Sequence, residues 1–415
     1  MATAHVTAGP LSRKAVVLAT CFGIALVGAL AISQLAPSRF VASYALVALS
    51  VALAPLAVGL RSRRGAGGLW LAISSLLALA ALDAEVSILF WPVITLQGAS
   101  GSFIVADPLL GYGPRPGAHA TITWRRLGRV IYAAHYTIGS DGFRSTRGAS
   151  GQAAATTVFV GDSYTFGDGL NDSQTLPQQY ADATDHRQKV INAAFSGYGT
   201  NQVLALIDSG RLTSHFGGGP RLVIYPAIDE HLGRIDGRSP LHRVGTPHYA
   251  LINGAARFLG PFHPGLEGQI LDIASRSAIV SSLRDLALAA PRADAAPLFG
   301  AMVERARDDA ERLYGASFIV VLWDEPVWQD GDNRRRSSQR AAAVTAMADQ
   351  MARRGVAFVR VSALLPDYKA HMSEYVMAGS GHPSALLNRR LARALAARLT
   401  RTPPSGARGS EASIR

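Results

Sequence analysis

The sequence predicts an α/β protein: a three-layer sandwich on a five-stranded parallel sheet, preceded by three transmembrane helices and a small β-rich connector. Three observations carry that expectation. Nearly all long uncharged runs of this 415-residue chain fall before residue 100. Residues 103–147 hold short alternating runs rich in Gly, Thr, Tyr and Ile. From residue 156 onwards, short β-branched runs alternate with amphipathic segments.

The apolar runs span residues 14–36, 40–60 and 67–96. Each can cover a hydrocarbon core of about 30 Å, which takes roughly 20 helical residues. Arg13 and Lys14 precede the first run, and Arg61, Arg63 and Arg64 separate the second from the third. Arg39 alone lies between the first two, and no basic residue follows the third until Arg115. The positive-inside rule then predicts a multi-pass cytoplasmic (inner) membrane protein, its N-terminus cytoplasmic and everything after residue 100 extracytoplasmic. Asp83 and Glu85 fall near the outer end of the third run, before Trp91 and Pro92, and read as interfacial.

Residues 101–152 read as the β-rich connector. The strands expected next are 157–160, 190–195, 222–228, 318–323 and 357–361, with helices at 201–212, 298–313, 337–353 and 385–399. Such alternation gives a parallel sheet with right-handed crossovers and helices on both faces. Five strands in this order fit a flavodoxin-like sandwich, whose ligands collect at the C-terminal strand ends. Residues 232–297 interrupt the pattern and read as an insertion over the mouth of a site, while 401–415 has the composition of a disordered tail.

Composition removes some function classes. The net charge of +12 is spread over scattered arginines, with no basic cluster interleaved with aromatics, so no nucleic-acid partner is expected. The single cysteine, Cys21, leaves no structural disulfide or cysteine zinc cluster. No HExxH, paired-histidine or Walker pattern is present, so neither metal nor cofactor is expected.

Chemistry points to residues 156–169, TTVFVGDSYTFGDG. A β-branched strand runs into Gly161-Asp162-Ser163, where a sharp turn and a following helix start would present one hydroxyl beside unpaired N–H groups. The block Gly161-Asp162-Ser163-Tyr164-Thr165-Phe166-Gly167 resembles the first motif of the SGNH (GDSL-type) hydrolase superfamily. Asn192-Ala-Ala-Phe-Ser-Gly197 is similar to its second block, and Ser380-Gly381-His382-Pro383 to its last. The resemblance covers about residues 155–400 and implies the SGNH hydrolase fold. It further implies Ser163 as nucleophile, His382 as base, and the N–H groups of Ser163 and Gly197 as oxyanion donors.

Two departures stand out. The family carries an aspartate three residues before the histidine; here Gly379 holds that place. Asp324, at the expected end of the fourth strand, or a backbone carbonyl could orient the imidazole instead. The third family block, Gly-x-Asn-Asp, is replaced by Pro226-Ala227-Ile228-Asp229. Ile228 cannot donate to an oxyanion and an ionised Asp229 would repel one. His231 could donate in place of the asparagine, or with Arg234 bind an acidic substrate; structural pairing of Asp229, Glu230 and Arg234 is the alternative. Asp162 completes the supporting candidates. The function expected is a membrane-anchored extracytoplasmic serine esterase or O-acyltransferase acting on acyl esters, acetyl foremost, of a cell-envelope glycan or lipid. Its expected partners are the lipid bilayer and a polysaccharide or lipid-linked glycan. The alternative is a catalytically degenerate fold that binds glycan or scaffolds the envelope.

Overall fold

A computed structural model describes residues 40–59, 63–90, 92–98, 101–148, 155–236, 245–287, 293–325 and 334–401. The chain divides into two compact units: one holds the N-terminal helices together with residues 272–285, the other the rest from Pro92 onwards.

In the first unit, helix α1 (Val41–Gly59) packs on helix α2 (Arg63–Phe90). Of the three spans expected, the first lies outside the described residues. Among the described residues one helix, Gly65–Phe90, is long and apolar enough to cross a membrane. The second expected span forms α1, a 19-residue helix with Pro55 inside it, which is not among the helices long and apolar enough to cross a membrane within the described residues. Of the two acids in α2, Asp83 is fully buried whereas Glu85 is exposed.

The second unit opens with β1 (Val93–Leu96), β2 (Ile104–Asp107), β3 (Gly111–Pro114), β4 (His119–Arg126) and β5 (Arg129–Thr137). These pair antiparallel, as the hairpin β2–β3 and the sheet β1–β4–β5. The parallel sheet follows: β6 (Thr156–Phe159), β7 (Lys189–Asn192), β8 (Arg221–Ala227), β11 (Ser317–Leu322) and β12 (Phe358–Arg360), in the spatial order β7–β6–β8–β11–β12. A flavodoxin-like sandwich has this order, with its switch point beside the first strand. Each strand lies within a few residues of the run expected from sequence, because both faces are buried and β-branched residues therefore run almost uninterrupted. Between β8 and β11 come β9 (Pro247–Ile252) and β10 (Ala255–Pro261), an antiparallel hairpin within the insertion.

Alternate residues of the strands enter two cores. Val158, Val223, Tyr225, Val320 and Leu322 face one side with the helices Thr200–Asp208, Ala296–Tyr314 and Arg334–Arg353. Phe159, Ile224, Ile319 and Val321 face the other with Leu176–Ala183 and Ala385–Arg401. The last helix offers Leu387, Leu391 and Leu395 at four-residue spacing, all fully buried, which is the stripe a sheet-packed helix needs. The result is the expected three layers, and it brings the C-terminal ends of β6, β7 and β8 to one edge.

Candidate active site

Ser163 follows the first strand of the parallel sheet by a turn that only glycine allows. Gly161 has φ +145°, and a Cβ there would meet Thr165 Oγ1 at 2.7 Å and the Pro226 carbonyl at 3.3 Å. Asp162 then caps a four-residue helix, Ser163–Phe166, accepting the Tyr164 N–H at 3.1 Å. With one turn the dipole is small; the useful feature is that N–H groups of the first turn have no partner inside the helix. Neither the Ser163 N–H nor the Gly197 N–H donates to another group among the described residues.

Ser163 Oγ lies 3.0 Å from His382 Nε2. The far side of the ring decides the tautomer. His382 Nδ1 is 3.1 Å from the carbonyl of Ser380, which can only accept, so Nδ1 carries the proton and Nε2 is left to accept from the serine hydroxyl. A backbone carbonyl, rather than a carboxylate, thus orients the imidazole. The loop that supplies it is braced: the Ser380 hydroxyl accepts the His382 N–H at 3.2 Å, and the Met377 N–H bonds the His382 carbonyl at 2.9 Å. Tyr164, next to Ser163, donates its hydroxyl to the Gly381 carbonyl at 3.1 Å and sets its ring edge-on against His382 and Trp323. Gly379, in the place of the family's aspartate, has φ +81°.

The other expected residues are placed differently. Asp324 accepts from the Ser362 N–H at 2.9 Å and from the Ser362 hydroxyl, and sits 3.7 Å from Arg360; it orients Ser362, not His382. His231 is fully buried, with Nδ1 2.7 Å from the Tyr225 hydroxyl and Nε2 facing Asp162 Oδ2 at 3.3 Å without forming a hydrogen bond, so the ring is turned into the core rather than offered to an oxyanion. Burial pushes its pKa down despite Asp162. Arg234 is buried and donates to Asp162 at 2.8 Å, to the Tyr198 carbonyl at 2.7 Å and to Glu230 at 3.1 Å, the last being the structural pairing that the sequence left open beside substrate binding. Asp162 itself is fully buried. Burial alone would raise its pKa, but His231 and Arg234 outweigh that and hold the carboxyl well below the usual range. Asp229 is 8% exposed, and burial pushes its pKa up to about 6 although Arg340 lies 3.7 Å away. Ile228 contributes only a backbone N–H, 3.4 Å from His231 Nδ1.

Three residues that sequence reasoning gave no role support the loop that carries Ser163. Arg144 is buried over the rings of Tyr136 and Phe166 and donates to the carbonyls of Phe166 and Gly167 at 2.8 Å and Leu170 at 2.6 Å, with Asp172 at 2.9 Å. Asn192 donates to the Thr165 and Phe166 carbonyls from the end of β7. Asp168 accepts from the Ser196 hydroxyl at 2.6 Å, linking the nucleophile loop to the residue before Gly197; burial raises its pKa, partly offset by His382. The signals were an arginine within Asp141-Gly142-Phe143-Arg144 and an acid between two glycines, neither specific without the fold. Among the described residues, no group of three or more His, Cys, Asp or Glu side chains could hold a metal ion.

No known family profile matches the chain, and no curated protein matches it. Among solved structures it is similar to LAE5, described as an alpha/beta hydrolase enzyme from the metagenome of Lake Arreo, Spain. The two are 13% identical with a TM-score of 0.36, over 60% of this chain and 95% of that one. It is also similar to protein YXIM of Bacillus subtilis, at 12% identity and a TM-score of 0.32, over 76% of this chain and 75% of that one. Likenesses this distant carry no argument; the fold is read from the strand order and the site from the Ser163–His382 geometry.

Proposed function

We propose that the chain is a serine ester hydrolase or O-acyltransferase of the SGNH (GDSL-type) kind, anchored to a membrane by α2. The observation that carries this reading is the 3.0 Å approach of Ser163 Oγ to His382 Nε2, with Nδ1 on the Ser380 carbonyl. Nε2 takes the hydroxyl proton as Oγ bonds to the acyl carbon, and the carbonyl electron pair moves onto oxygen. The N–H groups of Ser163 and Gly197 are the donors assigned to that oxyanion. As the intermediate collapses, His382 returns the proton to the departing alkoxide, leaving an acyl-serine. Water or a sugar hydroxyl then attacks the acyl-serine, again deprotonated by Nε2, and Ser163 is released. The Ser380 carbonyl stabilises the imidazolium less than a carboxylate would. In a comparable triad, replacing that acid by an amide costs about 10⁴ in turnover, so a slow enzyme is expected.

The apolar helix and the resemblance together support acyl esters, acetyl foremost, of an envelope glycan or lipid as the substrate class. A second reading, a glycan-binding protein without catalysis, draws on Ile228, which removes the side-chain oxyanion donor. Turnover of p-nitrophenyl acetate by the full chain separates the two. Catalysis requires that Ser163→Ala and His382→Ala each lose about 10²- to 10⁴-fold, the contribution of a general base, with folding intact. Wild-type turnover no faster than that of either variant rejects catalysis on this ester.

A further inference from the structure

The insertion returns to the N-terminal helices. Residues 272–285 belong to the same compact unit as α1 and α2, and they include the end of helix α3 (Leu266–Ser275) and most of helix α4 (Ala278–Ala287). The start of α4 is capped from α2. Asp83 Oδ1 accepts from the Ser277 hydroxyl at 2.6 Å and from the Ile279 N–H at 3.1 Å, while the same hydroxyl accepts the Val280 N–H at 3.1 Å. The Ser43 hydroxyl of α1 donates to Asp83 Oδ2 at 2.8 Å. Asp83 is fully buried and Ser277 nearly so.

An acid within an apolar helix is costly unless partnered. Here three donors satisfy it, and two of them come from the insertion. Asp83 lies seven residues before Phe90, the last residue of α2. At about 1.5 Å per residue that is ~10 Å from the helix end, a depth at which interfacial helices bury their apolar faces. Glu85, exposed two residues later, marks the level as the polar boundary rather than the hydrocarbon centre. Beyond its cap, α4 leaves Val280 42% and Leu283 60% exposed, and α2 leaves Leu79, Leu82, Ile88, Leu89 and Phe90 exposed in the same unit. Exposed large apolar residues on a helix tied to a candidate membrane span have lipid as their natural cover.

We propose that α4 is an interfacial membrane helix, docked on α2 through the Asp83–Ser277 cap, with Val280 and Leu283 in the acyl-chain boundary. The chain thus meets the bilayer a second time, within the insertion of the α/β domain. The inference rests on α2 lying in a membrane and is independent of the ester chemistry.

The test uses the full chain with Cys21→Ser, reconstituted in phosphatidylcholine–phosphatidylglycerol vesicles. A single cysteine at Val280, Leu283 or the exposed turn residue Leu127 carries an environment-sensitive fluorophore. Probes at 280 and 283 are expected to be quenched by doxyl-labelled lipid about threefold more than the probe at 127, and less by aqueous iodide, as for a helix buried in the boundary. In Asp83→Leu the lipid quenching at 283 falls towards that at 127. Iodide quenching at 280 and 283 equal to that at 127 overturns the proposal, as does protection from both quenchers, which would mean cover by protein. Unchanged lipid quenching in Asp83→Leu overturns the docking role of Asp83.

Discussion

Asp162→Asn isolates the charge behind the nucleophile. Asparagine is as good a helix cap as aspartate, so the bond to the Tyr164 N–H is retained while the ion pair with Arg234 and the charge facing His231 are lost. Arg234 stays charged in a buried site, with Glu230 at 3.1 Å and the Tyr198 carbonyl as its remaining partners. Removing one member of a buried pair costs about 3–5 kcal/mol, and because Glu230 compensates in part, about 3 kcal/mol is expected. That lowers the midpoint of thermal unfolding by about 6–12 °C for a domain of this size. The assay is far-UV circular dichroism of the purified full chain for Asp162→Asn, Arg234→Met and the double variant. The double variant buries neither charge, so its loss is expected to be at least about 2 kcal/mol smaller than the sum of the singles. Losses that add to within about 0.5 kcal/mol would refute the reasoning, since residues in one network must couple.

Three further outcomes follow from the same geometry. Restoring the family's acid with Gly379→Asp is expected to destabilise by about 1–2 kcal/mol, the cost of a left-handed side-chain residue, and to leave ester turnover no higher than wild type. A rise in turnover would show that the loop adapts. Asp229 has a folded pKa of about 6 against an ordinary 3.8, so its contribution to stability is full below about pH 4 and is lost as pH rises through 6. By pH 8 that loss approaches about 3 kcal/mol, and Asp229→Asn should flatten the pH dependence of urea unfolding over this window. Arg144→Lys replaces a planar fork by a point charge that cannot reach Phe166, Gly167 and Leu170 together. Its kcat should fall about 10²-fold with KM little changed, as expected when a catalytic group is misplaced by about 1 Å; an unchanged kcat would remove Arg144 from the support of Ser163.

What was legible in the sequence was what burial writes into composition. Val158, Val223 and Val320 sit in strands enclosed on both faces, so their runs announce themselves, and Gly161 marks a turn that no other residue can make. Ser163 was singled out because it closes a strand-to-helix turn and His382 because it lies just before the final helix in a block resembling the family's last motif; their 219-residue separation is bridged only by the fold. The orienting Ser380 carbonyl left no trace in composition, since every residue has one. The roles of His231 and Arg234 stayed open for a different reason. They lie on a five-residue helix, too short for periodicity to show which face is buried, and Asp162, 72 residues upstream of Arg234, is what draws them inward. Length is ambiguous in the N-terminal region: residues 40–60 suffice for a span by count, and they form a single helix, Val41–Gly59, that carries Pro55 inside it.

The central claim is that Ser163 is a nucleophile activated by His382. The most direct test is mass spectrometry of the full chain after exposure to a fluorophosphonate, which phosphonylates only an activated serine. The account predicts one adduct, on the peptide containing Ser163, formed in the wild type and slowed about 10²-fold or more in His382→Ala. An unmodified Ser163, or an adduct that forms equally fast without His382, would contradict it.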